Sequence, residues 1–232
     1  MIKEFQQMTC VNISIIDCEE ARKIQLQAVS AKKSGILKND IVFILEHQPV
    51  FTLGKSGGIE NLKISKNFLA NKGIKVLQTE RGGNITYHGP GQLVSYPIID
   101  LNKAHLNIKD YVNMLEEIMI KTAADFGVKA SGHPKNRGIW VGENKLGSLG
   151  IRVSRGITYH GIALNVNLSL KPFQWINPCG LDNVQMTSIQ NETGCHLNIN
   201  QVRESLMKNI EKIFNKKLVK TSLEAFKFYL PF

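Results

Sequence analysis

The most reactive side chains in this sequence are its thiols, and one of the four stands in an unusual setting. Cys179 lies in N-P-C-G, residues 177 to 180. Pro178 removes a backbone donor and fixes φ, and Gly180 frees the turn after it. The thiol is therefore presented on a defined loop rather than on a packed face. A lone cysteine is most often a small buried hydrophobe. Cys10, Cys18 and Cys195 are read that way: the first two flank an ordinary strand, and the third sits beside a turn glycine. A thiol becomes a nucleophile when its surroundings favour the thiolate. Lys145, just after the Gly142-Glu143-Asn144 turn, would do so as an ammonium beside the sulfur. His88 and His160 are the alternatives, because a Cys–His pair is the commoner arrangement. The sequence alone does not establish which of them meets the thiol.

A second feature is the stretch R-G-G-N-I-T-Y-H-G-P-G-Q-L-V-S-Y-P-I-I-D-L, Arg81 to Leu101. Its first part is dense in glycine and carries Arg81, Thr86, Tyr87 and His88; its second, Leu93 to Ile99, is an apolar run ending at Asp100. Pro90 between Gly89 and Gly91 reads as a rigid turn. A rigid glycine loop feeding a buried strand is how a binding wall is built. It is not a phosphate loop, since neither G-x-x-x-x-G-K-[ST] nor a helix-opening G-x-G-x-x-G is present. Two further segments make room. In Ile157 to Leu168, Ile162, Leu164, Val166 and Leu168 share one face, and Gly161, Ala163 and Asn165 share the other. Lys145 to Val153 carries Gly147 and Gly150. Glycine and alanine on a strand face imply that a backbone element or an extended ligand lies against it.

These residues need elements to hold them. Val11 to Ile16 alternates as a strand; Asp17 caps a helix from Glu19 to about Lys33, with Glu20 as capping-box partner and Gly35 at its end. Ile41 to Leu45 reads as a strand covered on both faces. Residues 55–72 show no period. Residues 74–79 suggest a strand delivering the Arg81 loop. Asn107 caps a helix bearing Tyr111, Leu115, Ile118, Met119 and Phe126 at helical spacing, closed by Gly127. Asn200 caps a last helix burying Val202, Leu206, Ile210 and Phe214, and an aromatic tail from Leu223 docks on the body. Strands and helices mix without strict alternation, so the expected fold is α+β, a mixed β-sheet flanked by helices. At 232 residues and 43% hydrophobic, one domain spanning 1–232 is expected. The net charge of +10 points to an acidic partner. With no C-x-x-C pair, zinc and thioredoxin-type chemistry are not expected. The polar N-terminus is no signal peptide, and no apolar run is long enough to span a bilayer. A soluble, cytoplasmic protein with reduced thiols is expected.

Several blocks together resemble the lipoyl (octanoyl) transferase family: L-E-H-Q-P-V-F-T-L-G at 45–54, the glycine stretch at 81–98, K-L-G-S-L-G-I-R-V at 145–153, H-G-I-A-L-N-V at 160–166 and P-C-G at 178–180, in the family's order. One departure is Gly147, where the family more often has alanine; it is expected to loosen the strand slightly and to alter the acyl pocket, while leaving Lys145 and Cys179 in place. The resemblance implies the fold of the biotin and lipoate protein ligase catalytic domain. It implies transfer of octanoyl from acyl carrier protein, an acidic donor, to a lysine of lipoyl domains in 2-oxoacid dehydrogenase complexes and the glycine cleavage H protein. Cys179 would be the acyl-thioester nucleophile and Lys145 its activator. The substrate wall would be Arg81, Gly82, Gly83, Asn84, Ile85, Thr86, Tyr87 and His88, with Ser148, Leu149 and Gly150, and Gly161, Ile162 and Ala163. Exchanging one thioester for another is nearly energy-neutral, so no cofactor or metal is implied, nor nucleic acid or membrane. The nearest rival is an ATP-dependent lipoate or biotin protein ligase of the same fold. A basic nucleic-acid-binding module is a remoter one, for which no RNP, helix-turn-helix or zinc-finger spacing appears.

Overall fold

The computed structural model describes residues 6–177 and 184–230; Pro178, Cys179 and Gly180 therefore lie outside the described residues. Strand β1 (Gln6–Ile16) enters helix α1 (Cys18–Lys33) through Asp17, whose Oδ1 accepts from the N–H groups of Glu19 and Glu20 at 2.8 and 3.2 Å. The Glu20 carboxylate does not close a capping box; it takes Lys227 at 3.2 Å. Gly35, at φ +79°, follows the helix end. The chain continues through β2 (Asp40–His47), β3 (Val50–Leu53), α2 (Lys66–Asn71), β4 (Lys75–Gln78), β5 (Ile85–His88) and β6 (Gln92–Ile98). Asn107 caps α3 (Ile108–Ala124), accepting from the Asp110 N–H at 2.8 Å. Then come β7 (Ser131–Gly132), β8 (Ile139–Val141), β9 (Asn144–Ser154), β10 (Ile157–Asn165), β11 (Gln185–Met186), α4 (Ile189–Thr193), α5 (Ile199–Phe214), β12 (Lys216–Thr221) and α6 (Leu223–Lys227).

The main sheet runs β12-β1-β2-β6-β10-β9-β8-β7, with β11 alongside β9. It is mixed: β12, β1 and β2 run parallel to one another, and the succession from β2 through β6, β10, β9 and β8 to β7 is antiparallel. In β2, Val42 and Ile44 pack with α3 and α5, while Ile41, Phe43 and Leu45 pack with α1 and α6. That explains the uninterrupted apolar run: both faces are covered. A small sheet, β4-β3-β5, has its own core around Phe51, Ile85, Tyr87 and Phe173. The tail docks through Phe226, which meets Phe43 edge-on at 5.3 Å, a contact worth about 0.5–1.5 kcal/mol beyond area burial. Phe228 and Tyr229 stay exposed. Among the described residues no helix is long and apolar enough to cross a membrane.

Two local expectations shift, and two segments without an expectation take form. The last long helix is capped by Asn198, not Asn200: Asn198 Oδ1 accepts the Asn200 N–H at 2.9 Å, so the helix opens at Ile199. The strand expected from Ile157 to Leu168 ends at Asn165, where Val166 and Asn167 turn to donate to Gly91 O at 3.0 and 2.8 Å. Residues 55–72, without a sequence period, hold a short 3₁₀ turn at Ile59–Asn61 and α2. Finally, β12 completes the sheet edge with the lysine-rich K-K-L-V-K-T.

Candidate active site

Lys145 is aimed by a bulge. Across the β8–β9 pair, Trp140 faces Lys145 and Ile139 faces Gly147, so one step on β8 spans two on β9. The extra residue is Leu146. A bulge of this kind reverses the side-chain alternation beyond it. Leu146 packs in the core with α3 and α5, and past the bulge so do Leu149, Ile151 and Val153. Lys145 is thereby turned to the opposite face, the one shared by Ser148 and Gly150. Its Nζ lies over the Trp140 ring at 5.3 Å from the centroid, and the residue is 3% exposed. Strand β11 runs parallel against it, pairing Met186 with Lys145, and the Thr187 N–H donates to Lys145 O at 2.9 Å. Gly147, on the other face, does not border the cavity described next. A Cβ there would lie 2.8 Å from both Ile139 Cγ1 and Met119 Sδ, so this position faces the α3 core and not the cleft.

On the Ser148–Gly150 face lies a narrow cleft of about 50 Å³. Of the wall expected from sequence, Arg81, Gly83, Asn84, Ile85, Thr86 and His88 line it from the glycine loop and β5. Ser148, Leu149 and Gly150 line it from β9, and Gly161, Ile162 and Ala163 from β10. Two expected residues do not border it. Gly82 instead donates its N–H to Ile151 O at 2.9 Å, tying the loop to β9. Tyr87 points into the small core, 5.1 Å from the Phe51 ring. Arg81 is held from behind: Nη2 donates to Thr52 O at 2.6 Å and Nε to Thr52 Oγ1 at 3.1 Å. The small residues permit close approach. A Cβ on Gly150 would meet Gly82 O at 3.0 Å, and one on Gly161 would meet Ser95 O at 2.2 Å. The pairs Ser148–Ala163 and Gly150–Gly161 lie directly opposite across β9 and β10. The slot is lined by glycines and small or aliphatic residues together with Arg81, Asn84, Thr86, His88, Ser148 and His160, so an extended chain could lie along it with polar groups within reach.

The histidines of the site are neutral. His88 and His160 line the cleft, and His47 lies behind, its ring 5.6 Å from that of His88. Burial lowers all three imidazoles, to about 4 for His47, about 3 for His88 and about 4 for His160. The His47 Nδ1–H donates to Ile16 O at 3.0 Å, so its Nε2 accepts from the Tyr96 hydroxyl at 2.8 Å. His160 sits at φ +57°, a costly conformation for a non-glycine residue, and its N–H donates to Gln25 Oε1 at 2.8 Å. Beside it, Glu80 is held at about 2, chiefly by its hydrogen bonds with Arg22. Burial pushes the Cys10 and Cys18 thiols up to about 12, leaving them inert as nucleophiles. Among the described residues no cluster of His, Cys, Asp or Glu could hold a metal ion.

Residues 19–211 match the family model of the lipoyl protein ligase A/B catalytic domain. An octanoyltransferase of Desulfotalea psychrophila is 48% identical over 204 residues, covering 87% of this chain and 92% of that one. This chain belongs to the octanoyltransferase family. A structure of lipoate-protein ligase A bound with ATP shares the fold at TM-score 0.73 and 14% identity, over 94% of this chain and 89% of that one. The biotin protein ligase of Aquifex aeolicus shares it more loosely, at TM-score 0.50 and 12% identity, over 89% and 69%. The octanoyltransferase-family fold thus brings twelve of the fourteen expected wall residues around one cleft, with Lys145 upstream on the same strand face. It also adds Val94 and Tyr96, which sequence reading places only in an apolar run. Their signal is the β6 register: Val94 pairs with Ala163, so the same small residue that opens β10 exposes it.

Proposed function

We propose that this chain takes octanoyl from octanoyl-acyl carrier protein as a thioester on Cys179. It then passes the acyl group to a lysine of lipoyl domains, those of 2-oxoacid dehydrogenase complexes and the glycine cleavage H protein. In this reading residues 1–232 form one cytoplasmic catalytic domain. Arg81–His88, Ser148–Gly150 and Gly161–Ala163 hold the acyl chain, and Lys145 activates the thiol. The observation that carries the reading is the bulge at Leu146, which turns Lys145 to the face where the cleft lies. A second support is the path of the chain: Met186, seven residues beyond Cys179 (186 − 179 = 7), is paired with Lys145. The neutral state of His88 and His160 argues against either as the cation that favours a thiolate, and leaves that role to Lys145.

The chemistry balances. The Cys179 thiolate attacks the thioester carbonyl, and the carrier thiol leaves with a proton from Lys145. The target lysine amine then attacks the Cys179 thioester, gives a proton to the now neutral Lys145, and releases the thiolate. The net charge of +10 suits an acidic carrier protein. Mixing the protein with octanoyl-carrier protein, without ATP, is expected to give a single octanoyl adduct that maps to Cys179 by peptide mass spectrometry. No adduct, together with ATP-driven acylation by free octanoate or lipoate, would replace this reading with a ligase.

A further inference from the structure

Behind the cleft a chain of buried polar groups leads from its wall to the strand that carries Lys145. The His88 Nδ1–H donates to Gln92 Oε1 at 2.6 Å, and Gln92 Nε2 donates to Asn165 Oδ1 at 2.9 Å. Asn165 Nδ2 then donates to Thr187 O at 2.9 Å. Gln92 and Asn165 are each 1% exposed. The peptide chain at Thr187 is gripped from both sides, because the Thr187 N–H is already bound to Lys145 O. Asn165 cannot reverse its amide here: one end faces a carbonyl and the other an amide donor.

We propose that Asn165 is a positioning residue for acyl transfer, holding β11 against β9 so that the Lys145 amine keeps its place over the Trp140 ring. This rests on the reading of Lys145 given above. The side chain of Asn165 bonds to Gln92 and to Thr187 O, so it acts through Thr187. Gln92 orients it, and His88 couples that orientation to the cleft wall. Reacting groups lose rate steeply when misplaced by about 1 Å, by up to about 10²-fold.

The test is steady-state transfer by the whole chain with octanoyl-carrier protein and a lipoyl domain, for Asn165→Ala and Gln92→Met. Rates are normalised to the amount of Cys179 that forms an adduct, so that a partly unfolded preparation does not count as slow. For Asn165→Ala we expect kcat down about 10²-fold with KM within about threefold, and a displaced limb of the pH–rate profile. For Gln92→Met the fall is about tenfold, since the Thr187 bond survives with a freer amide. If folded Asn165→Ala keeps the wild-type kcat and pH profile, the inference is overturned. If Asn165→Ala does not fold, an unchanged Gln92→Met overturns it instead. Absence of any Cys179 adduct in the wild-type protein would overturn the acyl-enzyme reading itself, a distinct outcome.

Discussion

Gly161→Ala isolates the closest approach in the site. The added Cβ would lie 2.2 Å from Ser95 O and 2.9 Å from Pro97 Cδ. Carbon meets a carbonyl oxygen comfortably at about 3.3 Å, so about 1 Å must be found. It cannot come from a side-chain rotation, because Ser95 O is backbone in β6, and β6 pairs with β10 at Ile162–Ser95. Overpacking of this kind costs about 1–3 kcal/mol. At about 2–4 °C per kcal/mol for a chain of this length, Tm should fall by about 2–12 °C in thermal unfolding followed by circular dichroism. Gly150→Ala is the comparison. Its nearest neighbours are Gly82 O at 3.0 Å and Arg81 Cδ at 3.2 Å, in a loop that can give by a few tenths of an ångström, so its Tm should move less. A Gly161→Ala protein with wild-type Tm, or one more stable than Gly150→Ala, would refute the close-packing account of the cleft floor.

Lys145→Ala should lower octanoyl transfer by at least about 10²-fold and slow alkylation of Cys179 at neutral pH; equal alkylation rates would separate the amine from the thiol. Stability should fall as pH drops from about 6.5 toward about 4, because three buried histidines stay neutral in the fold while the unfolded chain takes up their protons. The depressed folded values put this loss below the ordinary histidine pKa, and equal urea midpoints at pH 7.5 and 5 would contradict it. Glu46→Gln should cost toward the lower end of about 3–5 kcal/mol in urea unfolding. It removes the charge facing buried Arg203, 3.3 Å away, although Asn12 Oδ1, Ile13 O and Ile44 O still accept from the guanidinium. Cys195→Ser, at an exposed thiol, should stay within about 0.5 kcal/mol of wild type and keep full transfer.

Much of the fold is legible where one periodic signal dominates. The α3 stripe, the Asp17 and Asn107 caps and the doubly covered β2 all follow from residue pattern. The glycine loop and the small faces of β9 and β10 converge as their composition suggests. What escapes is anything that depends on a partner far away. The strand β12 is half lysine, with no fully buried residue, and only pairing with β1 makes it a strand. The bulge escapes an alternation read at period two, yet it leaves a trace: Leu146 and Leu149 stand three apart on one face, an odd step that an unbroken strand cannot take. The cap at Asn198 rather than Asn200 turns on which asparagine reaches a free N–H, a matter of backbone dihedrals. Cys179 itself lies outside the described residues, so its role rests on sequence and on the path of its neighbours.

The pairing of β1 with β12 has a consequence for how the chain is made. Gln6 aligns with Lys216, a separation of 210 residues (216 − 6 = 210). A nascent chain leaving the ribosome therefore carries β1 with one ladder of backbone groups open until nearly all the rest has been synthesised. Such long-range parallel pairing is slow, and an open strand edge invites association with other chains. Premature termination anywhere before Lys216 should yield a product that aggregates rather than a smaller folded protein.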